Sequence, residues 1–505
     1  MRKLLLLVLV FISGMSYAIA QSAVTGTVTD ENGEGIPGAN IVIKGTSQGT
    51  ITDIDGAFSI NASSSDVLVV TYVGYSTVEI PVGSQANISI SLSEDIAALD
   101  EIVVTGYGTQ VRKEITSAVT SLNEEDFNQG LVSNPMGLLE GKVAGLSITK
   151  PGSDPNGGFT LRLRGISTVG ANASPLVVID GVIGGNLDLV DPADIESIDV
   201  IKDGAAAAIY GTRGSSGVIL VTTKRGTSGA TRVEYSVSTS VDQIARSMDV
   251  MTAAEYRALP GAVDFGADTD WVDLVTRDGV SQVHNLAVSG GTSNTTYRVA
   301  MNYREQQGIL KGTGFNNLNT NLNLSQKAMN GKAVIDVNIS YSNKDASYGF
   351  GNEGFRYAYQ SNPTMPIYDP NSIYGGYHER TIFDYYNPVS IVEQNINEGN
   401  DNLFLGSVKG TFDLSAIANG LNASVAYTRQ ITDTERGQYY KKTSRFRGSD
   451  RNGLAITDNG QFTFDLFEGT LGYNGEAGDL GINALVGYSY QEFFNEGYHA
   501  EGGDF

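Results

Sequence analysis

The stretch TYRVAMNYRE, residues 296–305, alternates between two kinds of side chain. From Tyr297 to Tyr303 the odd positions are aromatic or apolar, and from Arg298 to Arg304 the even positions are mostly polar. A period of two places successive side chains on opposite faces of an extended chain. The stretch therefore predicts a β-strand with one apolar face and one polar face.

The same alternation recurs on both sides of this strand. It is found at residues 233–241, 318–325, 334–342, 421–428 and 482–491, and the pattern predicts about nine such strands. Strands of about ten residues with an apolar and a polar face are typical of a transmembrane β-barrel, which has lipid outside and a wet lumen inside. A soluble β-sandwich that buries the apolar faces is the alternative.

The connections between these strands favour the barrel, because short and long connections largely alternate as periplasmic turns and extracellular loops do. The short connections lie near residues 290–296, 327–332, 416–420 and 474–481, and the long ones lie at about 244–282, 343–401 and 429–459. Single-chain barrels normally close with an even number of strands. We therefore expect residues 227–505 to be part of a barrel that belongs to a longer polypeptide.

Two further regions precede the barrel part. Residues 111–226 mix short strands with helical turns and end in a glycine-rich segment, which predicts a compact mixed α/β domain. Residues 21–96 contain short strands separated by Gly, Pro and Asp-Gly turns, which predicts a small β-sandwich. Residues 52–56, TDIDG, superficially resemble a calcium loop but lack its remaining ligands, so we predict a turn there.

The linker at residues 97–110 includes the short apolar stretch IVVT. Its β-branched residues favour an extended backbone, and the glycines that follow end the strand. A lone strand has unpaired backbone groups, so it can add to the edge of a partner's sheet. An ordinary linker, or a strand of the following domain, is the alternative.

The N-terminus has the features of a secretory signal peptide. Arg2 and Lys3 precede an apolar stretch that is too short to span a bilayer, and Ala18-Ile19-Ala20 fits a cleavage site. We expect residues 1–20 to be cleaved, and an uncleaved anchor is the alternative.

The composition argues against several classes of function. The net charge of −23 and the pI near 4.5 are unlike those of a general nucleic-acid binder or of a protein that docks on anionic lipid. The chain has no cysteine, and its three histidines, His284, His378 and His499, lack the spacing of metal ligands. No nucleophile elbow and no complete dinucleotide fingerprint is found. We therefore expect neither enzyme activity nor a cofactor or metal.

In this order, the regions resemble a known family, the SusC/RagA-type TonB-linked outer-membrane transporters. The segment GTVTDENGEGIPGANIVIKGT is similar to the carboxypeptidase-regulatory-like domain, and EIVVTGYGTQ matches the TonB-box region. LRLRGISTVGANASPLVVIDGV and IDVIKDGAAAAIYGTRGSSGVILVTTKRG match the plug signature. The resemblance implies a mainly β protein with a signal peptide, a β-sandwich, a mixed plug domain and an antiparallel barrel truncated from about 22 strands.

The resemblance also implies a function. The chain would act in TonB-dependent import of a nutrient oligomer, an oligosaccharide or an oligopeptide, across the outer membrane. Its partners would be TonB with the inner-membrane energising complex, a SusD-like surface lipoprotein and outer-membrane lipid. A TonB-dependent receptor for a metal chelate or a vitamin is one alternative, and a secreted β-rich adhesin without transport is the other.

Two sets of site residues follow from the resemblance. The TonB box would comprise Glu101, Ile102, Val103, Val104, Thr105 and Gly106. The plug would pack against the lumen wall through Arg162, Arg164, Asp180, Lys202, Asp203 and Arg213, and contact with the ligand is the alternative role for each.

A third set comes from the longest loop, which is crowded with aromatic residues. Candidates for contact with ligand or lid are Phe355, Tyr357, Tyr359, Tyr374, Tyr377, Tyr385 and Tyr386, and the crowding extends to Tyr368 and Phe383. Aromatic faces with polar tips suit sugars, peptides or a protein partner. Self-packing of the loop or anchoring at the membrane interface is the alternative.

Overall fold

A computed structural model describes residues 22–92, the backbone of 102–105 and 108–111, and residues 119–504. Its internal gaps are 31–32, 34, 45, 47, 73–74, 76–77, 84, 86, 129, 131, 133, 151, 153, 166–172, 203–207 and 478–479. The predicted signal peptide lies outside the described residues. The chain folds as two compact units, divided between Thr116 and Ser117.

The first unit contains the predicted N-terminal β-sandwich, which the structure confirms. Its strands are β1 (Ser22–Thr29), β2 (Asn40–Ile43), β3 (Gly49–Ile51), β4 (Ala57–Ala62), β5 (Val67–Thr71), β6 (Val78–Pro81) and β7 (Asn87–Ser91). They form two sheets of order β4-β1-β7 and β3-β2-β5-β6. Val24 and Val28 of β1 are buried against Ile41 and Leu68 of the other sheet, as alternation along the strands requires.

The segment at residues 52–56 is a turn, as predicted. Asp53 Oδ1 accepts hydrogen bonds from the backbone N–H groups of Asp55 (3.0 Å) and Ala57 (2.8 Å). The carboxylate therefore closes the turn.

The linker strand is paired in the structure, which corrects the expectation of a lone strand. β8 (Ile102–Thr105) forms an antiparallel hairpin with β9 (Gly108–Val111), and Val103 lies opposite Gln110. The backbone of a short apolar strand is satisfied by the nearest compatible segment, here three residues further along the chain. Each strand of this two-stranded sheet pairs along one edge with the other strand, and its second edge lies on the outside of the sheet, where a further strand could add.

The mixed domain begins the second unit. Its strands are β10 (Val119–Asn123), β11 (Leu146–Thr149), β12 (Thr160–Leu163), β13 (Leu176–Ile179), β14 (Val182–Ile183), β15 (Ile195–Ile201) and β16 (Val218–Thr223). Five form a sheet of order β10-β15-β16-β13-β14, in which β13 and β16 run parallel. One of the helical turns is the 3-10 helix Pro135–Leu139, which the Asn134 side chain caps by accepting a hydrogen bond from the backbone N–H of Met136. We call this domain the plug.

The rest of the second unit is one nine-stranded antiparallel sheet whose strands neighbour one another in chain order, as predicted. The strands are β17 (Gly229–Asp242), β18 (Gly279–Gly291), β19 (Thr295–Gln307), β20 (Gly314–Ala328), β21 (Ala333–Ser347), β22 (Asn395–Asp413), β23 (Leu421–Tyr440), β24 (Leu454–Ala477) and β25 (Leu480–Gly503). We call this sheet the wall. Its completion to about 22 strands stays a prediction.

The wall exposes its apolar face and buries part of its polar face against the plug. In β19, Val299, Met301 and Tyr303 are 40%, 47% and 40% exposed, whereas Arg298 and Arg304 are 6% and 5% exposed. A soluble sandwich would bury the first set and expose the second. This reversed arrangement is typical of a barrel wall that separates lipid from a polar lumen.

The long connections carry four short helices. They are α1 (Ala253–Arg257) and α2 (Trp271–Val275) before β18, and α3 (Gly351–Gln360) and α4 (Pro388–Gln394) before β22. The third long connection is shorter than the expected 429–459. Strand β23 continues to Tyr440, and strand β24 already begins at Leu454. No helix among the described residues is long and apolar enough to cross a membrane.

Candidate functional site

Asp194 of the plug makes three side-chain hydrogen bonds to the wall. This residue ends a 3-10 turn, Pro192–Asp194, that leads directly into β15. Asp194 Oδ1 accepts a hydrogen bond from Arg298 Nη1 at 2.7 Å, and Oδ2 accepts hydrogen bonds from the side-chain amides of Asn302 (2.5 Å) and Asn321 (3.1 Å). The Asp194 side chain is only 3% exposed, so every one of these bonds is shielded from water.

A second buried pair lies beside the first. Asp191 Oδ2 is 3.3 Å from Arg304 Nη2, and Arg304 Nη1 donates to the carbonyl of Val132 at 2.7 Å. Burial raises the pKa of Asp191, and the Arg304 guanidinium and the N–H of Ala193 partly oppose that shift. Two arginines on the inner face of β19 thus hold one turn of the plug.

An apolar patch completes this part of the contact. Val182 and Leu189 of the plug are buried against Leu403 and Leu405 of β22. Where Asp194 and Arg298 adjoin this patch, the remaining cavity measures about 30 Å³.

Glycine is required where the chain leaves the plug for the wall. A Cβ atom on Gly226 would lie 2.1 Å from the carbonyl oxygen of Tyr297 in β19. Nearby, Asn323 Nδ2 donates to the carbonyl of Lys224 at 3.3 Å. The backbone of the last plug segment therefore lies in direct contact with the wall.

The six plug residues expected at the wall occupy different places. Arg162 donates to the carbonyl of Leu161 and to Ser174 Oγ, and Asp180 accepts hydrogen bonds from Thr223, so the contacts of these two residues lie within the plug. Arg213 reaches the wall, where its Nη1 donates to Gln491 Oε1 at 2.8 Å.

Of the other three, Arg164 is exposed, Lys202 is half-buried, and Asp203 lies outside the described residues. Asp191 and Asp194 are not among the residues that the sequence predicted to contact the wall. The sequence feature that could have indicated this contact is DPAD, residues 191–194, which places two carboxylates on a proline turn just before a buried strand.

The predicted TonB box is described only in part. Ile102, Val103, Val104 and Thr105 form β8, while Glu101 and Gly106 lie outside the described residues. Its role therefore stays a prediction.

A chamber of about 470 Å³ lies between the plug and the loops. It is lined by Asp154 of the plug, Glu353 of α3, and Asp458, Arg447 and Asn397 from the wall and its loops, among others. Groups of both charges and neutral amides therefore face the space. We call it the loop-side chamber, and its polar lining suits a solute rich in hydrogen-bonding groups.

Most of the candidate aromatic residues pack within the loop. Tyr357 is 3% exposed and lies edge-to-face on Tyr386, with ring centroids 5.3 Å apart. Tyr377 Oη donates to Glu393 at 2.6 Å, and Tyr385 Oη accepts from the backbone N–H of Asn362 at 2.9 Å.

The remaining candidates behave in a similar way. Phe355 and Tyr359 stack edge-to-face at 4.9 Å, and Tyr374 is half-buried. Phe383, by contrast, is 97% exposed. These positions support the self-packing alternative for most of the set, and contact with ligand or lid stays a prediction.

One arginine ties two loops together. Arg445 Nη2 donates to the carbonyl of Ile382 at 2.7 Å, Nη1 donates to the carbonyl of Tyr385, and the guanidinium lies 4.9 Å from the Tyr386 ring centroid. The carboxylate of Glu379 is 3.7 Å from the same guanidinium. Burial raises the pKa of Glu379 to about 7, although Asn387 and Arg445 oppose that shift.

Comparison with known proteins finds two matching domain families and several relatives of this chain. Residues 24–104 match the model of the CarboxypepD_reg-like domain, and residues 111–218 match that of the TonB-dependent receptor plug domain. The chain is 35% identical over 447 residues to the TonB-dependent receptor SusC of Bacteroides thetaiotaomicron, a match that covers 81% of this chain and 44% of that receptor. It is 36% identical to the TonB-dependent receptor P26 of Formosa agariphila, with 76% and 40% covered.

The solved structures agree with the fold. The RagAB peptide importer in its open-open state superimposes with a TM-score of 0.66 at 20% identity, over 79% of this chain and 50% of that one. In its closed-closed state the TM-score is 0.64 at 19% identity, over 77% and 49%. The chain thus spans about half the length, or less, of these relatives.

A plug held against the polar face of an outward-apolar sheet defines the class of TonB-dependent receptors. Within that class, the two domain models and the SusC relative together support assignment of the chain to the SusC/RagA type. The relatives are named as receptors and importers, in agreement with the expectation of a protein that is not an enzyme.

Proposed function

We propose that this chain forms part of an outer-membrane importer for a nutrient oligomer, an oligosaccharide or an oligopeptide. The observation that carries the proposal is the plug bound to the polar face of a wall whose apolar face is exposed. Such a plug blocks a wide lumen at rest and has to move for a solute to pass. Export through a signal peptide at residues 1–20 would bring the chain to that membrane.

The predicted domains have separate tasks in this proposal. Within the linker at residues 97–110, TonB pairs with the predicted TonB box, Glu101 to Gly106, by strand addition and transmits energy from the inner membrane to the plug at residues 111–226. A SusD-like lipoprotein covers the loop side of the barrel part, residues 227–505. The relatives named SusC and RagAB support this arrangement, and the word "peptide" in the description of RagAB supports an oligopeptide as one substrate class.

A receptor for a metal chelate is the second candidate, because a weaker match joins 33% of this chain to the rhizobactin receptor of Rhizobium meliloti at 28% identity. The SusC-type relatives match at higher identity and over more of the chain, so we favour the nutrient oligomer.

The experiment compares two proline substitutions in one hairpin. Val103→Pro removes a backbone donor from the predicted TonB box, and Gln110→Pro does the same in the strand that lies opposite. Cells carrying each variant are tested for energy-dependent uptake of labelled oligopeptide and oligosaccharide pools, and for surface binding of the same pools.

We expect Val103→Pro to abolish uptake and keep binding, while Gln110→Pro keeps both. Normal uptake by the Val103→Pro variant, or equal loss in both variants, would refute the TonB-box assignment. Energy-dependent uptake of a metal chelate, with neither oligomer taken up, would favour the second candidate.

A further inference from the structure

The first two long connections form a groove that is separate from the loop-side chamber. It measures about 720 Å³ and is lined by residues between 249 and 272 of the first connection and between 358 and 385 of the second. Its lining shares no residue with that of the loop-side chamber. The volume falls within the range of small-ligand sites, roughly 300–1,000 Å³. We call it the loop groove.

Buried hydrogen bonds hold the two sides of the loop groove together. Trp271 Nε1 donates to the carbonyl of Asn362 at 2.9 Å, and Thr269 Oγ1 donates to the carbonyl of Met365 at 2.6 Å. Trp271 and Thr269 belong to the first connection and are 3% and 9% exposed. Bonds shielded in this way are costly to break, so the groove exists before a ligand arrives.

The loop groove presents two carboxylates that no cation neutralises. Asp249 and Asp268 line it and are exposed, and neither side chain has a hydrogen-bond or ion-pair partner in the described part of the chain. Residues 243–278 contain seven acidic residues and three arginines, and one of these arginines, Arg257, pairs with Asp264 at 3.1 Å. This side of the groove therefore attracts cationic groups.

One arginine of the second connection supplies the opposite charge. Arg380 lines the loop groove, and its guanidinium lies 5.3 Å from the ring centroid of Phe265 and 5.6 Å from that of Tyr385. Among the residues that the structure describes, no carboxylate pairs with it. The two rings hold the guanidinium in place, and it keeps donors for a carboxylate of a ligand.

Apolar side chains lie beside these charges. Val250 and Met251 line the loop groove and are 47% and 53% exposed. The Tyr359 ring packs edge-to-face on a neighbouring phenylalanine, and the Tyr385 ring lies against the Arg380 guanidinium. Two tyrosine rings of the groove are thus engaged within the loops, whereas the two aliphatic side chains offer free surface to apolar groups.

We propose that the loop groove binds oligopeptides that carry a basic side chain, apolar side chains and a free carboxyl terminus. Asp249 and Asp268 receive the basic group, Arg380 receives the terminal carboxylate, and Val250 and Met251 contact the apolar side chains. An uncharged oligosaccharide leaves all three charged groups without a partner. The inference rests on the proposed function and narrows its substrate class to oligopeptides of this kind.

The test measures binding to the full-length protein, purified in detergent, by fluorescence anisotropy. The first probe is a pentapeptide of one lysine with alanine and leucine, with an uncharged fluorophore on its N-terminus and a free carboxyl terminus. Two further probes each lack one charge, because norleucine replaces the lysine or an amide replaces the terminal carboxylate. An uncharged glucan oligosaccharide with the same fluorophore is the fourth probe.

We expect each loss of charge from the probe to weaken binding by about fivefold or more, and each loss to depend on its own partner in the protein. The variant with Asp249→Asn and Asp268→Asn together should bind the lysine and norleucine probes equally. Arg380→Gln should bind the free-carboxyl and amide probes equally, whereas Arg380→Lys, which keeps the charge, should still distinguish them.

Asp273→Asn is the matched control. Asp273 is an exposed carboxylate of the same connection that does not line the loop groove. Its replacement should leave the affinity for every probe within about twofold. Each variant is first checked for the tryptophan emission of the unmodified protein, because Trp271 lies in the wall of the groove.

Equal binding of the three peptide probes to the unmodified protein, or tighter binding of the glucan than of any peptide, would overturn the peptide site. So would the absence of binding by every probe when Met251→Arg releases a second polypeptide that co-purifies with the unmodified protein, because the groove would then be a protein interface. Uptake that Val103→Pro still abolishes would keep the importer in each of these cases. Charge-dependent peptide binding without uptake of any oligomer would instead refute the importer and leave the peptide site in place.

Discussion

The carboxylate of Asp194 and the guanidinium of Arg298 join plug and wall across 2.7 Å, and both side chains are less than 10% exposed. In the sequence these residues are 104 positions apart. A buried pair of this kind costs free energy to desolvate, and removing one partner leaves the other charge buried without compensation. Removing one partner of this buried pair should therefore be more destabilising than removing one partner of an exposed ion pair.

Replacing Asp194 by Ala should release the plug from β19. The change strands the Arg298 charge and two amides, so we expect a loss of about 3–5 kcal/mol in the stability of the plug contact. Limited proteolysis of the plug in isolated outer membranes measures the effect. Glu124→Ala is the control, because Glu124 pairs with Lys224 on the surface at 2.9 Å and should contribute about 1 kcal/mol or less. Equal protease sensitivity in the two variants would contradict this assignment.

A charged side chain on the outward face of the wall should destabilise the assembled protein, because that face is expected to contact lipid. Met301 in β19 and Val250 in the β17–β18 connection are equally exposed, at 47%. Met301→Arg should cost about 2–4 kcal/mol at mid-membrane and reduce the assembled protein in the outer membrane, whereas Val250→Arg should be neutral. Equal assembly of both variants would favour the soluble sandwich.

Gly226→Ala should disturb the exit of the plug into the wall. The added Cβ would meet the backbone carbonyl of Tyr297, which cannot move away without distorting β19. We expect a destabilisation of about 1–3 kcal/mol, seen as a lower temperature for loss of heat-modifiable migration. Gly469→Ala serves as the comparison, because a Cβ there would meet no atom within 4 Å. A larger effect at Gly469 would contradict this explanation.

Strand alternation was sufficient to predict the nine-stranded sheet and the reversal of its faces. The residues of β19 show why, since a strict period of two is specific to an extended strand with two unlike surroundings. The hairpin of β8 and β9 was not predicted, because IVVT and GTQV carry no shared pattern that reveals their pairing.

Contacts between plug and wall were the least accessible to sequence reasoning. Arg162 and Asp180 lie in the recognisable plug signature, and their hydrogen bonds stay within that domain. Asp191 and Asp194 reach the wall because a proline turn places them there, and their partners on β19 are more than 100 residues away. Local patterns specify strands and turns, whereas the pairing of distant polar groups depends on the assembled fold.

The loops should become less stable as the pH rises through the titration of Glu379. Its pKa is about 7 in the folded chain against an ordinary 4.5, so between these values the folded state keeps a proton that the unfolded state has lost. The contribution of Glu379 to the stability is then greatest below pH 4.5, falls as the pH rises to about 7 and is constant above it, with a total change of about 3 kcal/mol at most.

Trp271 reports this change, because it is the single tryptophan of the sequence and is buried in the same group of loops, where its Nε1 donates to Asn362. Thermal unfolding followed by its fluorescence should show a midpoint that decreases between pH 5 and pH 7 in the unmodified protein. Glu379→Gln, which keeps the shape and removes the titration, should flatten that decrease.

Glu255→Gln is the matched control on a neighbouring loop. Hydrogen bonds from Thr252 lower the pKa of Glu255, so its contribution has the opposite sign and lies below the window of Glu379. The decrease between pH 5 and pH 7 should therefore persist in this variant. If Glu379→Gln retains the full decrease while Glu255→Gln abolishes it, Glu379 is not the group that couples these loops to pH.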